Sequence, residues 1–158
     1  MKLKFIPQHD QMDCGPACIA MVASYFGKQI PLHFLKENAN LSREGVSLLS
    51  ISELCEDIGF ETYPAKLTLQ TLDENGSLPC ILHWNKNHFV VLLDVKKSLI
   101  SGKKLYKIAD PSHGMIWLSE KDFLKSWLSD GENGIALFVS PTNSFYQQTF
   151  PEEDKLSI

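Results

Sequence analysis

The chain has 158 residues, 44% of them hydrophobic and 22% charged, enough for one globular domain that buries a core without covalent staples. A net charge of −4 leaves no basic stripe to neutralise phosphates, which excludes a nucleic-acid binder, and Lys103, Lys104 and Lys107 read as a solvated loop face. The apolar runs, such as FVVLLDV at 89–95, are too short to cross a bilayer, and the opening MKLKFIPQHD lacks the apolar stretch of a signal peptide, so a cytosolic domain is expected.

The predicted elements run helical first and strand-rich later. PACIAMVASYFG reads as a helix with Pro16 near its start and Gly27 closing it. PLHFLKENA, from Pro31, is a second helix. SLLSISELCEDIG is a third, with Ser47 as N-cap, Gly59 at its end, and Leu48, Ile51, Leu54 and Ile58 on one face. FETYPAKL reads as a strand despite Pro64, and LTLQTLDEN as a short helix or turn before the turn signal Asn75-Gly76. PCILHW, HFVVLLDV, KLYKIAD, GMIWLS and GIALFVS are short runs rich in β-branched and aromatic residues, separated by turn-forming clusters, with the helix EKDFLKSW before the last. Helices segregated from an antiparallel sheet define an α+β fold. From Thr142 the pattern dissolves, so residues 1–141 are assigned to the domain and 142–158 to a linker or tail.

Four cysteines, at 14, 18, 55 and 80, sit in a chain without secretory features, so free thiols are expected. Neither CxxC nor HxxxH occurs, and no metal site or cofactor is expected. Cys55 and Cys80 lie in apolar patterns and read as small buried hydrophobes.

Cys14 is different, because it stands where a polar loop, QHDQMD, turns into a helix. A thiolate at a helix start is stabilised by unpaired N–H groups and the helix dipole, and Gly15 leaves room for a substrate beside the sulfur. Such a nucleophile needs a base and donors for an oxyanion. Gln8, six residues upstream, can fold its amide toward the thiol and pair with the Cys14 backbone N–H as a two-donor oxyanion hole. Of five histidines, His88 is the best base, since it opens the strongly apolar strand HFVVLLDV; His33 reads as structural, and His9 would compete with Gln8 for position. Asp110 closes the strand KLYKIAD. If the two strands pair as an antiparallel hairpin, His88 and Asp110 fall at the same end, where a carboxylate can fix the tautomer of the ring and stabilise imidazolium.

QHDQMDCGPAC around the thiol, LHWNKNHFVVL around the histidine and IADPSHG around the aspartate, in that order, resemble the C39 peptidase domain, the papain-like cysteine protease at the N-terminus of bacterial peptidase-containing ABC transporters. The resemblance covers residues 5–140. It implies a papain-like fold, with N-terminal helices packed on an antiparallel sheet, and Cys14 as nucleophile, His88 as base, Asp110 as orienter and Gln8 as oxyanion donor. It also implies cleavage of secreted peptide precursors after a Gly-Gly motif, coupled to export, at the cytoplasmic side of the bacterial inner membrane. The implied partners are a precursor with an amphipathic leader ending in Gly-Gly and the membrane-spanning and ATPase domains of the transporter. The sequence encodes neither of those domains, so an excised domain or a stand-alone relative is expected. Phe34, Leu35, Phe60 and Tyr63 are candidates to line a leader-binding groove, with core packing as the competing fate of each. Two other readings stand beside this one: another Cys-His acyl-transfer enzyme of the amidase or transglutaminase type, and a catalytically idle C39-like domain that docks an exported substrate.

Overall fold

The computed structural model describes residues 2–39 and 47–152. Three helices come first, α1 (Cys14–Tyr25), α2 (Leu32–Asn38) and α3 (Leu48–Asp57). Then follow β1 (Phe60–Leu67), α4 (Leu69–Asn75), β2 (Cys80–Trp84), β3 (His88–Lys97), β4 (Lys104–Asp110), β5 (Gly114–Ser119), α5 (Glu120–Trp127), β6 (Gly134–Pro141) and α6 (Asn143–Gln147). The six strands form one antiparallel sheet in the order β1-β6-β2-β3-β4-β5.

α1 is apolar all round and buried from Cys14 to Ser24, as a helix must be when it lies between a sheet and two other helices. With Ile51, Leu54 and Ile58 of the α3 region it covers one face of the sheet through Ile81, Phe89, Val91 and Leu137. The alternate residues Leu82, Val90, Leu92, Tyr106 and Ile108 point to the other face, where they meet Leu72 of α4 and Phe123 and Trp127 of α5. The sheet is therefore covered by helices on both faces, not by the N-terminal helices alone. Tyr106 stacks on Phe123 with ring centroids 4.4 Å apart. Pro64 is tolerated because β1 is an edge strand, where a missing N–H need not break a ladder.

The local signals act as expected. The Ser47 hydroxyl accepts the Ser50 N–H and the Ser50 hydroxyl accepts the Ser47 N–H, a reciprocal cap at the start of α3. Gly59 follows α3 with φ +103°, a conformation that closes a helix and suits only glycine well.

Beyond Pro141, where the sequence pattern reads as linker or tail, the chain docks on the domain. Thr142 donates both its N–H (3.0 Å) and its hydroxyl (2.6 Å) to the Gly59 carbonyl. Phe145 of α6 is fully buried, its ring 4.6 Å from that of Phe60. Lys28 Nζ donates to the carbonyls of Tyr146 and Gln148, each at 2.9 Å. The last residues of the proposed tail, 153–158, lie outside the described residues.

Candidate active site

α1 starts at Cys14 because the first turn makes few demands: Pro16 lacks an N–H where none is needed, and the first helical bond runs from Ala17 N–H to Asp13 O at 2.9 Å. The thiol thus sits at the positive end of a twelve-residue helix, among N–H groups without intrahelical partners.

α1 packs on β3, whose first residue is His88. The turn before it is tight, with Asn85 (φ 48°) and Lys86 (φ 71°) in left-handed conformations, so that Trp84 pairs directly with His88. β3 and β4 pair antiparallel from Val91–Ala109 to Lys97–Lys104, with an irregularity between Leu92 and Asp94. This register brings His88 and Asp110 to the same end of the hairpin, with His88 Nε2 2.7 Å from Asp110 Oδ1.

The carboxylate is itself fixed. Asp110 Oδ1 accepts the Ser112 N–H at 2.9 Å and the Ser112 hydroxyl at 2.8 Å, an Asx turn carried by the Asp-Pro-Ser sequence. Burial works to raise the pKa of Asp110, but the bonds from His88 and Ser112 prevail and hold it at about 2. Burial likewise works to lower the pKa of His88. The hydrogen bonds with Asp110 and with Cys14, together with the nearby negative charges, override this and raise it to about 9. A ring of that basicity is imidazolium at neutral pH. With Nε2 committed to Asp110, Nδ1 is the nitrogen free to exchange a proton with the thiol.

Gln8 approaches from the N-terminal loop. Its N–H donates to the Pro111 carbonyl at 3.0 Å, which ties the loop to the residue after Asp110. Its side-chain Oε1 is buried and bonded to nothing. The four residues singled out in the sequence thus lie on a helix start, two strand ends and a loop fastened to one of those ends.

The remaining cysteines are buried among apolar side chains. Burial, and secondarily the nearby Cys14, raises the thiol of Cys18; burial pushes Cys80 up to about 12 and raises Cys55 as well. None is a nucleophile at neutral pH. Of the other histidines, His9 is exposed and His83 rests its ring against Phe89; His33 is exposed on α2, a surface residue and not a packing one. Sequence reasoning passed over Ser112 and over His113, whose Nδ1 lies 3.4 Å from Asp110 Oδ2 at the protein surface. The Asp-Pro-Ser turn carried the signal for the first; nothing local carried it for the second.

Of the four groove candidates, Leu35 and Phe60 belong to the core, at 0% and 3% exposure, and have no surface to offer a ligand. Phe34 is half-buried against Phe150, and Tyr63 is exposed on the edge strand β1.

A helix-start cysteine packed against an antiparallel sheet that carries a carboxylate-held histidine is the architecture of the papain-like cysteine peptidases. The chain belongs to the peptidase C39 family, whose model matches residues 2–144. It is 34% identical over 148 residues to the colicin V secretion/processing ATP-binding protein CvaB of Escherichia coli, covering 94% of this chain and 20% of that protein. It is 33% identical over 159 residues to the lactococcin-G-processing and transport ATP-binding protein LagD of Lactococcus lactis, covering 98% and 21%. The chain therefore spans about a fifth of the length of these relatives. Among solved structures it resembles a double glycine motif protease from an AMS/PCAT transporter, captured with a leader peptide (TM-score 0.78, 33% identity, 89% of this chain and 93% of that one). It also resembles the peptidase domain of Streptococcus ComA (TM-score 0.76, 28% identity, 89% and 100%). Among the described residues no helix is long and apolar enough to cross a membrane.

Proposed function

We propose that this cysteine peptidase removes the leader of secreted peptide precursors by cutting after a Gly-Gly pair, and that it works as one part of a peptide-exporting ABC transporter at the cytoplasmic side of the bacterial inner membrane. The observation that carries the reading is the 2.7 Å contact between His88 Nε2 and Asp110 Oδ1 at the foot of the helix that begins with Cys14. Relatives named for secretion and processing, and a structural neighbour titled as a double glycine motif protease with a leader peptide, support the substrate class.

In this mechanism the Cys14 thiolate, paired with the His88 imidazolium, attacks the carbonyl carbon of the second glycine. The oxyanion takes hydrogen bonds from the Cys14 backbone N–H and the Gln8 amide. His88 Nδ1–H protonates the leaving amine as the C–N bond breaks, giving a thioester on Cys14 and releasing the mature peptide. The now neutral ring takes a proton from water, the hydroxide attacks the thioester, and the leader departs with a C-terminal glycine carboxylate. Asp110 keeps the ring turned and its charge stabilised throughout. A narrow slot beside the thiol selects glycines because any side chain would clash, while apolar anchors on the leader helix bind elsewhere on the surface. The peptidase unit includes the segment docked behind β6 through Phe145, from which the chain leads on toward the rest of the transporter.

The test uses a precursor with an amphipathic leader ending in Gly-Gly. The expected product begins immediately after the second glycine. Replacing that glycine by a bulky residue blocks cleavage, and replacing apolar leader residues raises KM. Efficient cleavage of a short Gly-Gly peptide without the leader would overturn the two-site model.

A further inference from the structure

The loop that carries Gln8 closes around a carboxylate that the mechanism leaves without a role. Asp13, the residue before Cys14, is fully buried. Its Oδ2 accepts the N–H groups of His9 at 3.1 Å and Asp10 at 3.2 Å. Its Oδ1 takes no hydrogen bond and lies 3.1 Å from Lys36 Nζ, an ion pair reaching across from α2. Lys36 also stands 3.9 Å from Asp10 Oδ2. A carboxylate with no access to water is costly unless donors and a cation surround it, and here all of them come from the loop and from α2. Its side chain makes no cap bond to α1, so its bonds serve the loop and not the helix.

Gln8 is the residue just before the two N–H groups so held. On its other side its own N–H is anchored to the Pro111 carbonyl at 3.0 Å. The side-chain oxygen of Gln8 takes no hydrogen bond that would hold the amide, so the anchoring contacts of this residue are those of its backbone, which fix where the side chain starts. That backbone is clamped by Pro111 at one end and by Asp13 at the other.

We infer that Asp13 and Lys36 form a positioning pair that holds the Gln8 amide in the oxyanion site. The inference rests on Gln8 being an oxyanion donor. Neither Asp13 nor Lys36 touches substrate; they act through the loop. A misplacement on the order of 1 Å in such a group costs roughly 100-fold in rate, which sets the scale of the effect.

The experiment is a double-mutant cycle on leader-bearing precursor. Asp13→Asn keeps the volume and removes the charge. Its turnover number is expected to fall about 10- to 100-fold with KM unchanged, as for any loss of oxyanion geometry. Iodoacetamide labelling of Cys14 is expected not to slow, since removing a negative charge beside a thiolate does not weaken it. In a Gln8→Ala background the same Asp13→Asn change is expected to cost less than about 2-fold, because the group it positions is gone. Lys36→Arg keeps the pair and retains turnover. Lys36→Met strands a buried charge and lowers the melting temperature, and combining it with Asp13→Asn restores melting but not turnover. If the effects of Asp13→Asn and Gln8→Ala multiply in the double variant, the positioning role is overturned although Gln8 stays an oxyanion donor. If Gln8→Ala alone is normal, the oxyanion reading fails and the inference falls with it.

Discussion

His88 Nε2 and Asp110 Oδ1 lie 2.7 Å apart although 22 residues separate them, because a β-hairpin returns the chain to the end of the sheet where it began. The contact decides which ring nitrogen faces the thiol, and it keeps a positive charge at the foot of α1, where a thiolate would form.

The pair makes the pH dependence specific. His88 has a pKa raised from 6.5 to about 9, so its contribution to stability is complete below 6.5 and is lost as the pH rises through about 9. Asp110, lowered from 3.8 to about 2, contributes above 3.8 and loses that contribution as the pH falls through about 2. The proposed mechanism needs the protonated ring, so kcat/KM is expected to decline above about pH 9. Asp110→Asn removes the charge that raises the ring and is expected to move that limb down toward 6.5. A limb that stays in place in the variant, measured on a precursor substrate, would show that the carboxylate does not set the basicity of His88.

The cysteines should separate cleanly. Cys14→Ala is expected to abolish cleavage with the fold intact, as judged by an unchanged melting curve. Cys18, one turn on, is buried at 0% exposure with a raised thiol pKa, and Cys18→Ala is expected to cleave normally at a stability cost of about 1 kcal/mol. Mass-spectrometric mapping of iodoacetamide adducts is expected to find Cys14 modified before Cys18, Cys55 and Cys80.

Gln8→Ala is expected to reduce turnover by about 100- to 1000-fold, the usual loss for one oxyanion donor, with little change in KM. Single-turnover kinetics at saturating precursor would place that loss in the chemical step.

The docked C-terminal segment has a measurable weight. Phe145→Ala empties a fully buried aromatic site against Phe60 and is expected to cost about 3–5 kcal/mol in a urea titration. Gly59→Ala combines a left-handed backbone (φ +103°) with a Cβ driven into the Phe145 backbone, so a loss of about 1–3 kcal/mol is expected. Truncation after Pro141 should destabilise the chain as much as Phe145→Ala does, and an unchanged midpoint would mean that residues 142–150 do not support the fold.

What the amino-acid order determined by itself was local. Ser47 and Gly59 bound α3, the Asn-Lys-Asn turn sets His88 at a strand start, and Cys14-Gly15-Pro16 opens a helix on a thiol, because caps, turns and periodicity act within a few residues. Cys14, His88 and Asp110 were singled out for the same reason, each standing at an element end, whereas Gln8 in the loop was marked only by lying six residues before Cys14. Only tertiary structure decided what depends on partners far along the chain. β6 enters between β1 and β2, α5 covers the second face, and Phe145 closes over Phe60, since these pairings are selected by the apolar area they bury together and leave no periodic mark. Leu35 and Phe60 could have faced a ligand or the core, and burial against α1 and α6 chose the core. Asp13 looked like one more polar loop residue until folding removed it from water, at which point Lys36 and two backbone N–H groups became the condition for its charge to remain.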